Sequence, residues 1–248
     1  MKAATIRRGV TVFFGLMALW QLATLGNVPA FLLPSPFAVA AAMLDNAGYL
    51  AYHMLITATE IAGGLIAGVL LGALLALLMI FSPGLQRWLM PLILTSQAIP
   101  VFALAPLLVL WFGFGISAKI VMAVLVIFFP VASAFFDGLR RVEQDYLDLA
   151  RTMGASSASQ LRYVRLMAAL PAFGSGLRMA VAVAPIGAII GEWVGSAEGL
   201  GFVMLNANAR MQSDLCFAAL FVLVAMTIAL WLSTDILLRC LIRWSPEH

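Results

Sequence analysis

Apolar residues run along this chain in six long blocks separated by shorter polar stretches, at about 10–26, 55–81, 89–114, 118–137, 174–194 and 215–238. Each block is near or above the ~20 residues an α-helix needs to cross a bilayer. Inside lipid only helices and closed barrels satisfy their own backbone. The pattern predicts an all-α, polytopic membrane protein with six spans, organised as a single domain over 1–248. Between the first two blocks, Leu33-Pro34-Ser35-Pro36 precedes a mildly amphipathic run from Phe37 to Leu50, which reads as a turn and a short helix in the outer interface. The first block, preceded by Lys2, Arg7 and Arg8, shares features with a secretory signal. It is a little long for one, and no A-x-A site closes it before Asn27, so an uncleaved first span is the preferred reading.

Composition agrees with the blocks: 64% of residues are hydrophobic, 10% are charged, and the mean hydropathy is +1.06. One soluble core of this size does not hide that much apolar surface, so lipid has to serve as solvent. The net charge of +3 then reports topology and gives no reason to expect nucleic acid. With both termini in the cytoplasm, six crossings put all but Lys119 and Arg210 of the 14 Lys and Arg on the inner face. Cys216 and Cys240 fall near opposite ends of the sixth block, roughly 36 Å apart at the helical rise per residue, too far to bridge.

The polar segment 138–173, between the fourth and fifth blocks, has its own internal pattern. Tyr146, Leu149, Ala150 and Met153 recur at helical spacing, with Asp145, Asp148 and Arg151 facing elsewhere. Gly154 suits a left-handed residue closing that helix. Ser157 and Gln160 have capping-box spacing and predict a second helix carrying Leu161, Val164 and Met167. The periodicity fits either a docking surface for a partner or an amphipathic connector resting on the membrane.

The same segment resembles the cytoplasmic signature loop of binding-protein-dependent ABC importer permeases, whose pattern is E-A-A, three residues, G, nine residues, I-x-L-P. Asp148-Leu149-Ala150 stands at E-A-A, Gly154 at the glycine and Val164-Arg165-Leu166-Met167 at the end, with Asp, Leu and Met167 replacing Glu, Ala and Pro. Across the chain the resemblance is to the nitrate, sulfonate and taurine branch, including permeases for thiamine-precursor pyrimidines and riboflavin. It is carried by Leu33-Pro34-Ser35-Pro36, Ala98-Ile99-Pro100, Ala105-Pro106-Leu107, Trp111-Phe112-Gly113, Gly138-Leu139-Arg140, Gly176-Leu177-Arg178 and Gly199-Leu200-Gly201. The resemblance implies that Tyr146, Asp148, Leu149, Ala150, Met153 and Gly154 form a coupling helix seated on an ATPase. It further implies two ATPase subunits, a second permease subunit (a homodimer being preferred) and an extracytoplasmic solute-binding protein. The chain has no G-x-x-x-x-G-K-[ST], and its only lysines are Lys2 and Lys119, so ATP and Mg belong to the partner and no cofactor is expected here.

Within the blocks, Gly64, Gly68 and Gly72 and likewise Gly187, Gly191 and Gly195 repeat every four residues. Such repeats permit close helix approach, and packing inside one subunit is preferred over a subunit interface. Candidates for the translocation pathway are Ser96, Gln97 and Pro100, in a span interrupted by Pro91, Pro100 and Pro106 and expected to be kinked, and Glu192 with Trp193. Glu192 fits either the pathway or a structural contact; Glu60 reads rather as one of a structural pair. The strings Ser96-Gln97-Ala98-Ile99-Pro100 and Gly191-Glu192-Trp193-Val194-Gly195 resemble the pyrimidine-precursor and riboflavin permeases, with sulfonate, taurine or nitrate as the alternative cargo. An ion-coupled secondary transporter is a more distant alternative, resting on Glu60 and Glu192 alone. An enzyme is disfavoured: His53 and His248 are far apart in sequence and no residues stand at metal-ligand spacing.

Overall fold

The computed structural model of the chain describes residues 2–25 and 28–244, with backbone alone for 2–10, 12 and 13. The end of the predicted first span, at residue 26, lies outside the described residues. Every regular element described is helical: α1 (Lys2–Leu25), α2 (Pro36–Asp45), α3 (Ala47–Phe81), α4 (Pro83–Ala98), α5 (Val101–Phe112), α6 (Ile116–Arg140), α7 (Gln144–Thr152), α8 (Ser157–Gln160), a π-helical turn (Leu161–Arg165), α9 (Leu166–Gly195), α10 (Leu200–Ala209) and α11 (Ser213–Leu241).

The middle of the bundle is α6, whose Met122, Ala123, Ile127, Val131, Ala132 and Phe136 are fully buried. Helices α3 and α9 close on it from two sides, and glycines set the distance. Gly64 of α3 faces the Ala123 methyl, while a Cβ added to Gly187 of α9 would stand 2.6 Å from Ala123 Cα. At Gly72 an added Cβ would come within 2.6 Å of the Phe128 carbonyl oxygen, and at Gly176 within 2.7 Å of that of Pro130. In lipid, contact of this kind replaces the hydrophobic drive that water would supply. The glycine repeats therefore serve packing within one subunit: Gly195 does so too, but against Val109 of α5 and Phe114 rather than against α6. A second cluster joins Val39 of α2, Leu50 of α3, Leu200 and Val203 of α10, and Ala218 and Ala219 of α11.

Four helical stretches among the described residues are long and apolar enough to cross a membrane: Ala47–Phe81, Ile116–Arg140, Ser157–Gly195 and Ser213–Leu241. The pair α4 and α5 qualifies only as a unit, bent by 100° at its break. The third predicted span, expected as one kinked helix, is thus two helices. Ile99 is extended (φ −87°, ψ 118°), as the residue before a proline tends to be, and Pro100 has no N–H to continue the ladder. Pro91 and Pro106 stay within their helices. In α1, the apolar described part Phe14–Leu25 is shorter than a span.

Three boundaries differ from the sequence-based expectation. The run from Phe37 to Leu50 is cut at Asn46, so α2 is short and α3 starts at Ala47 rather than near 55. The start of α2 is set by the Ser35 hydroxyl, which accepts the Ala38 N–H at 3.2 Å, and by Pro36 in its first turn. The second helix of the polar segment does not end before the fifth span but runs into it through the π-helical turn, with Pro171 inside α9. Lastly, α10 is a helix the sequence pattern does not predict.

Candidate functional site

The polar segment reduces to a nine-residue helix, α7, hung between the ends of α6 and α9. Its closure is a Schellman motif: Ala155 N–H donates to Ala150 O at 2.9 Å and Gly154 N–H to Arg151 O at 2.9 Å. Gly154 has φ +81° with open space around it, so the left-handed backbone alone calls for glycine there. The next helix is capped by Ser156, one residue before the expected Ser157; Ser156 Oγ accepts the Ser159 N–H at 3.2 Å. The Gln160 amide donates to Ala155 O instead of completing a capping box.

Leu147, which the sequence pattern does not single out, is the anchor of α7 at 1% exposure. Tyr146, Leu149 and Met153 point away from the subunit at 58%, 58% and 79% exposure, and Ala150 is half-buried beside them. Asp148 is exposed and pairs with Arg151 at 2.7 Å. The helix therefore shows an apolar face that none of the described residues covers.

Glu192 lies buried at the other end of α9. It accepts the Thr57 hydroxyl at 2.6 Å with one oxygen and the Gly201 N–H with the other. Thr57 Oγ1 accepts the Leu200 N–H at 2.8 Å, and His53 Nδ1 accepts the Gly199 N–H at 2.9 Å. The first N–H groups of α10, which have no partner within their own helix, are thus capped by side chains from α3 and α9, and a carboxylate there also suits the helix dipole. Tyr52 adds a hydrogen bond to Glu198 at 2.7 Å. At 1% exposure, Glu192 does not face an opening within this subunit.

The remaining pathway candidates are near the surface. Ser96 is half-buried and bonds Ile93 O at 2.7 Å, while Gln97 and Pro100 are exposed at the helix break. Trp193 is 43% exposed and shares an open depression of about 380 Å³ with Phe114, Val194, Gly195, Ser196 and Ala197. The structure brings Ser96, Gln97 and Pro100 together, and places Glu192 and Trp193 on another helix.

Two buried ionic contacts complete the picture. Lys119, one of the two cations expected on the outer side of the membrane, is 7% exposed and pairs with Glu60, itself 1% exposed. Asp235, which carries no sequence signal, accepts Arg178 Nε–H at 2.7 Å and Arg239 Nε–H at 2.8 Å, tying α9 to α11. Among the described residues no group of His, Cys, Asp and Glu is arranged to hold a metal ion.

Known proteins fit this geometry. The family model of binding-protein-dependent transport system inner membrane components matches residues 68–244. A protein of Haemophilus influenzae named "Probable ABC transporter permease protein" is 54% identical over 93% of this chain and 94% of its own length. The formylaminopyrimidine transport permease protein ThiX of Halalkalibacterium halodurans is 36% identical over 96% of both chains. The taurine transport system permease protein TauC of Escherichia coli is 32% identical over 98% of this chain and 92% of its own. In fold, a chain of the methionine ABC transporter MetNI in inward-facing conformations superimposes with a TM-score of 0.61 over 84% of this chain and 97% of its own, at 20% identity. The chain belongs to the family of binding-protein-dependent transport inner membrane components: it is a multi-pass permease subunit of an ABC importer and not an enzyme, the ATPase being a separate subunit.

Proposed function

We propose that α7 is the coupling helix through which an ATPase subunit moves this permease, with Tyr146, Asp148, Leu149, Ala150, Met153 and Gly154 as the contact. The observation that carries the proposal is the outward apolar face of Tyr146, Leu149 and Met153 on a helix fixed by buried Leu147 and a rigid Gly154 end. A face of this kind is costly in water and suits a groove. Two permease copies form the pathway, each with six spans if α1 and the α4–α5 pair both cross, and both termini lie in the cytoplasm. Two ATPase subunits bind ATP and Mg, and an outer binding protein delivers the solute. Nucleotide shifts the bundle between inward-open and outward-open states.

The cargo is a small planar heterocycle of the thiamine-precursor pyrimidine class. The Phe114–Trp193 depression supports this reading, since it offers aromatic walls and no charged side chain. A sulfonate, taurine or nitrate would favour Arg or a helix N-terminus. Ser96, Gln97, Pro100 and Trp193 line the route at the dimer axis, and Glu192 holds α10 at its outer end. The test is uptake by cells expressing this permease with its ATPase and binding protein: formylaminopyrimidine should accumulate in an ATP-dependent way that Leu149→Asp abolishes. Accumulation of taurine alone would transfer the chain to the sulfonate reading, and uptake without the ATPase would remove the coupling role.

A further inference from the structure

Where α3 ends, beneath the turn joining α7 to α8, the chain encloses a pocket of about 220 Å³. One lip is apolar, made of Ile80, Phe81 and Leu161. Phe81 is the last residue of a helix long enough to span the bilayer and is 66% exposed, so this lip offers apolar surface where a membrane-crossing helix ends. The lining also holds two cationic residues, Arg151 and Arg165. Arg165 gives one N–H to Leu139 O at 3.3 Å, and among the described residues no carboxylate pairs with it. Arg151 shares Asp148 at the surface, and the Ser157 hydroxyl joins the lining. Two guanidinium groups against one carboxylate leave the lining positive.

We propose that this pocket binds the phosphate of an anionic phospholipid, with the acyl chains passing over Ile80 and Phe81. Guanidinium groups match phosphate oxygens in fork geometry, and a serine hydroxyl adds a neutral donor. The apolar lip favours a lipid over free phosphate, because a soluble anion gains nothing from Phe81. The bound lipid would tether the α7–α8 turn to the bilayer from the side opposite the exposed face of α7. The proposal needs the pocket and the membrane plane but not the ATPase, so its failure leaves the coupling role standing.

The experiment is native mass spectrometry of the full-length permease in detergent with phosphatidylglycerol, with phosphatidylcholine, and with phosphatidylglycerol plus millimolar inorganic phosphate. The wild type should retain phosphatidylglycerol over phosphatidylcholine, and inorganic phosphate should not displace it. Arg151→Gln and Arg165→Gln should each weaken retention about fivefold, the equivalent of ~1 kcal/mol per cationic residue. Arg162→Gln removes the same charge outside the pocket, where Arg162 lies over the Tyr163 ring, and should leave retention unchanged. Because Arg151 touches only an exposed partner, its loss separates lipid binding from folding, which a thermal melt checks. Equal retention of phosphatidylcholine, or unchanged retention in both pocket variants, overturns the proposal. Displacement by inorganic phosphate also overturns it, in favour of a soluble anion.

Discussion

Thr57 and Glu192, 135 residues apart, meet at 2.6 Å, with the threonine hydroxyl donating to the carboxylate while it accepts the Leu200 N–H. One short relay thereby fixes α3, α9 and the start of α10. Glu192→Ala strands the Gly201 N–H in a buried site, at about 1–3 kcal/mol, while the Thr57 hydroxyl falls back on the His53 carbonyl at 3.2 Å. The expected outcome is a melting midpoint in detergent several degrees lower, with Thr57→Val showing a smaller loss and Tyr52→Phe, at the exposed end of the cluster, close to none. An unchanged midpoint for Glu192→Ala would remove the clamp from the account.

The glycine contacts with α6 make a sharper stability test. Gly72→Ala sets a methyl 2.6 Å from the Phe128 carbonyl oxygen, a backbone atom that yields only if the helices part. Overpacking of this kind costs about 1–3 kcal/mol. Gly48→Ala has nothing within 4 Å and should be neutral or slightly stabilising, since alanine favours the helix. Folded yield from membranes and the melting midpoint should fall for the first variant and hold for the second.

How much of this was legible depends on how local its cause is. Gly154 could be read because one left-handed residue closes one helix, whereas the cap at Ser156 was displaced by a residue because two adjacent serines both suit the position and only backbone torsion chooses between them. Pro91, Pro100 and Pro106 each announce disturbance, but neighbouring packing decides which of them breaks the helix. The α10 helix was hidden because its N-terminus is capped by His53, Thr57 and Glu192, far away in sequence. The identity of the Lys119–Glu60 pair was hidden for the same reason: counting charges near span ends assigns Lys119 to a side of the membrane but gives it no partner, and Glu60 lies 59 residues earlier.

In the coupling segment, neighbouring residues should separate stability from function. Leu147→Ala empties a buried site and should lower the melting midpoint, by about 2–4 kcal/mol of stability. Leu149→Asp, at an exposed position two residues on, should leave the midpoint within the range of surface changes. Its effect should appear instead as loss of the ATPase on co-purification and loss of uptake. Gly154→Ala, strained by φ +81°, should fall between them at about 1 kcal/mol. If Leu149→Asp still retains the ATPase, α7 is an ordinary connector.

The Lys119–Glu60 pair tests whether a buried ionic contact in this bundle stabilises the fold or merely has to be kept whole. Glu60 has one oxygen on Lys119 and, among the described residues, no hydrogen-bond partner for the other, with the Glu192 carboxyl nearby, so the carboxylate is poorly compensated even in the native chain. Lys119→Met removes that partner and leaves a charge sealed between α3 and α6, which should cost about 3–5 kcal/mol. Adding Glu60→Leu removes the stranded charge, and replacement of both members by apolar residues of similar size is close to neutral. The expected order of melting midpoints is therefore wild type and double variant together, with Lys119→Met well below. A double variant as unstable as Lys119→Met would show that the pair supports the α3–α6 contact directly.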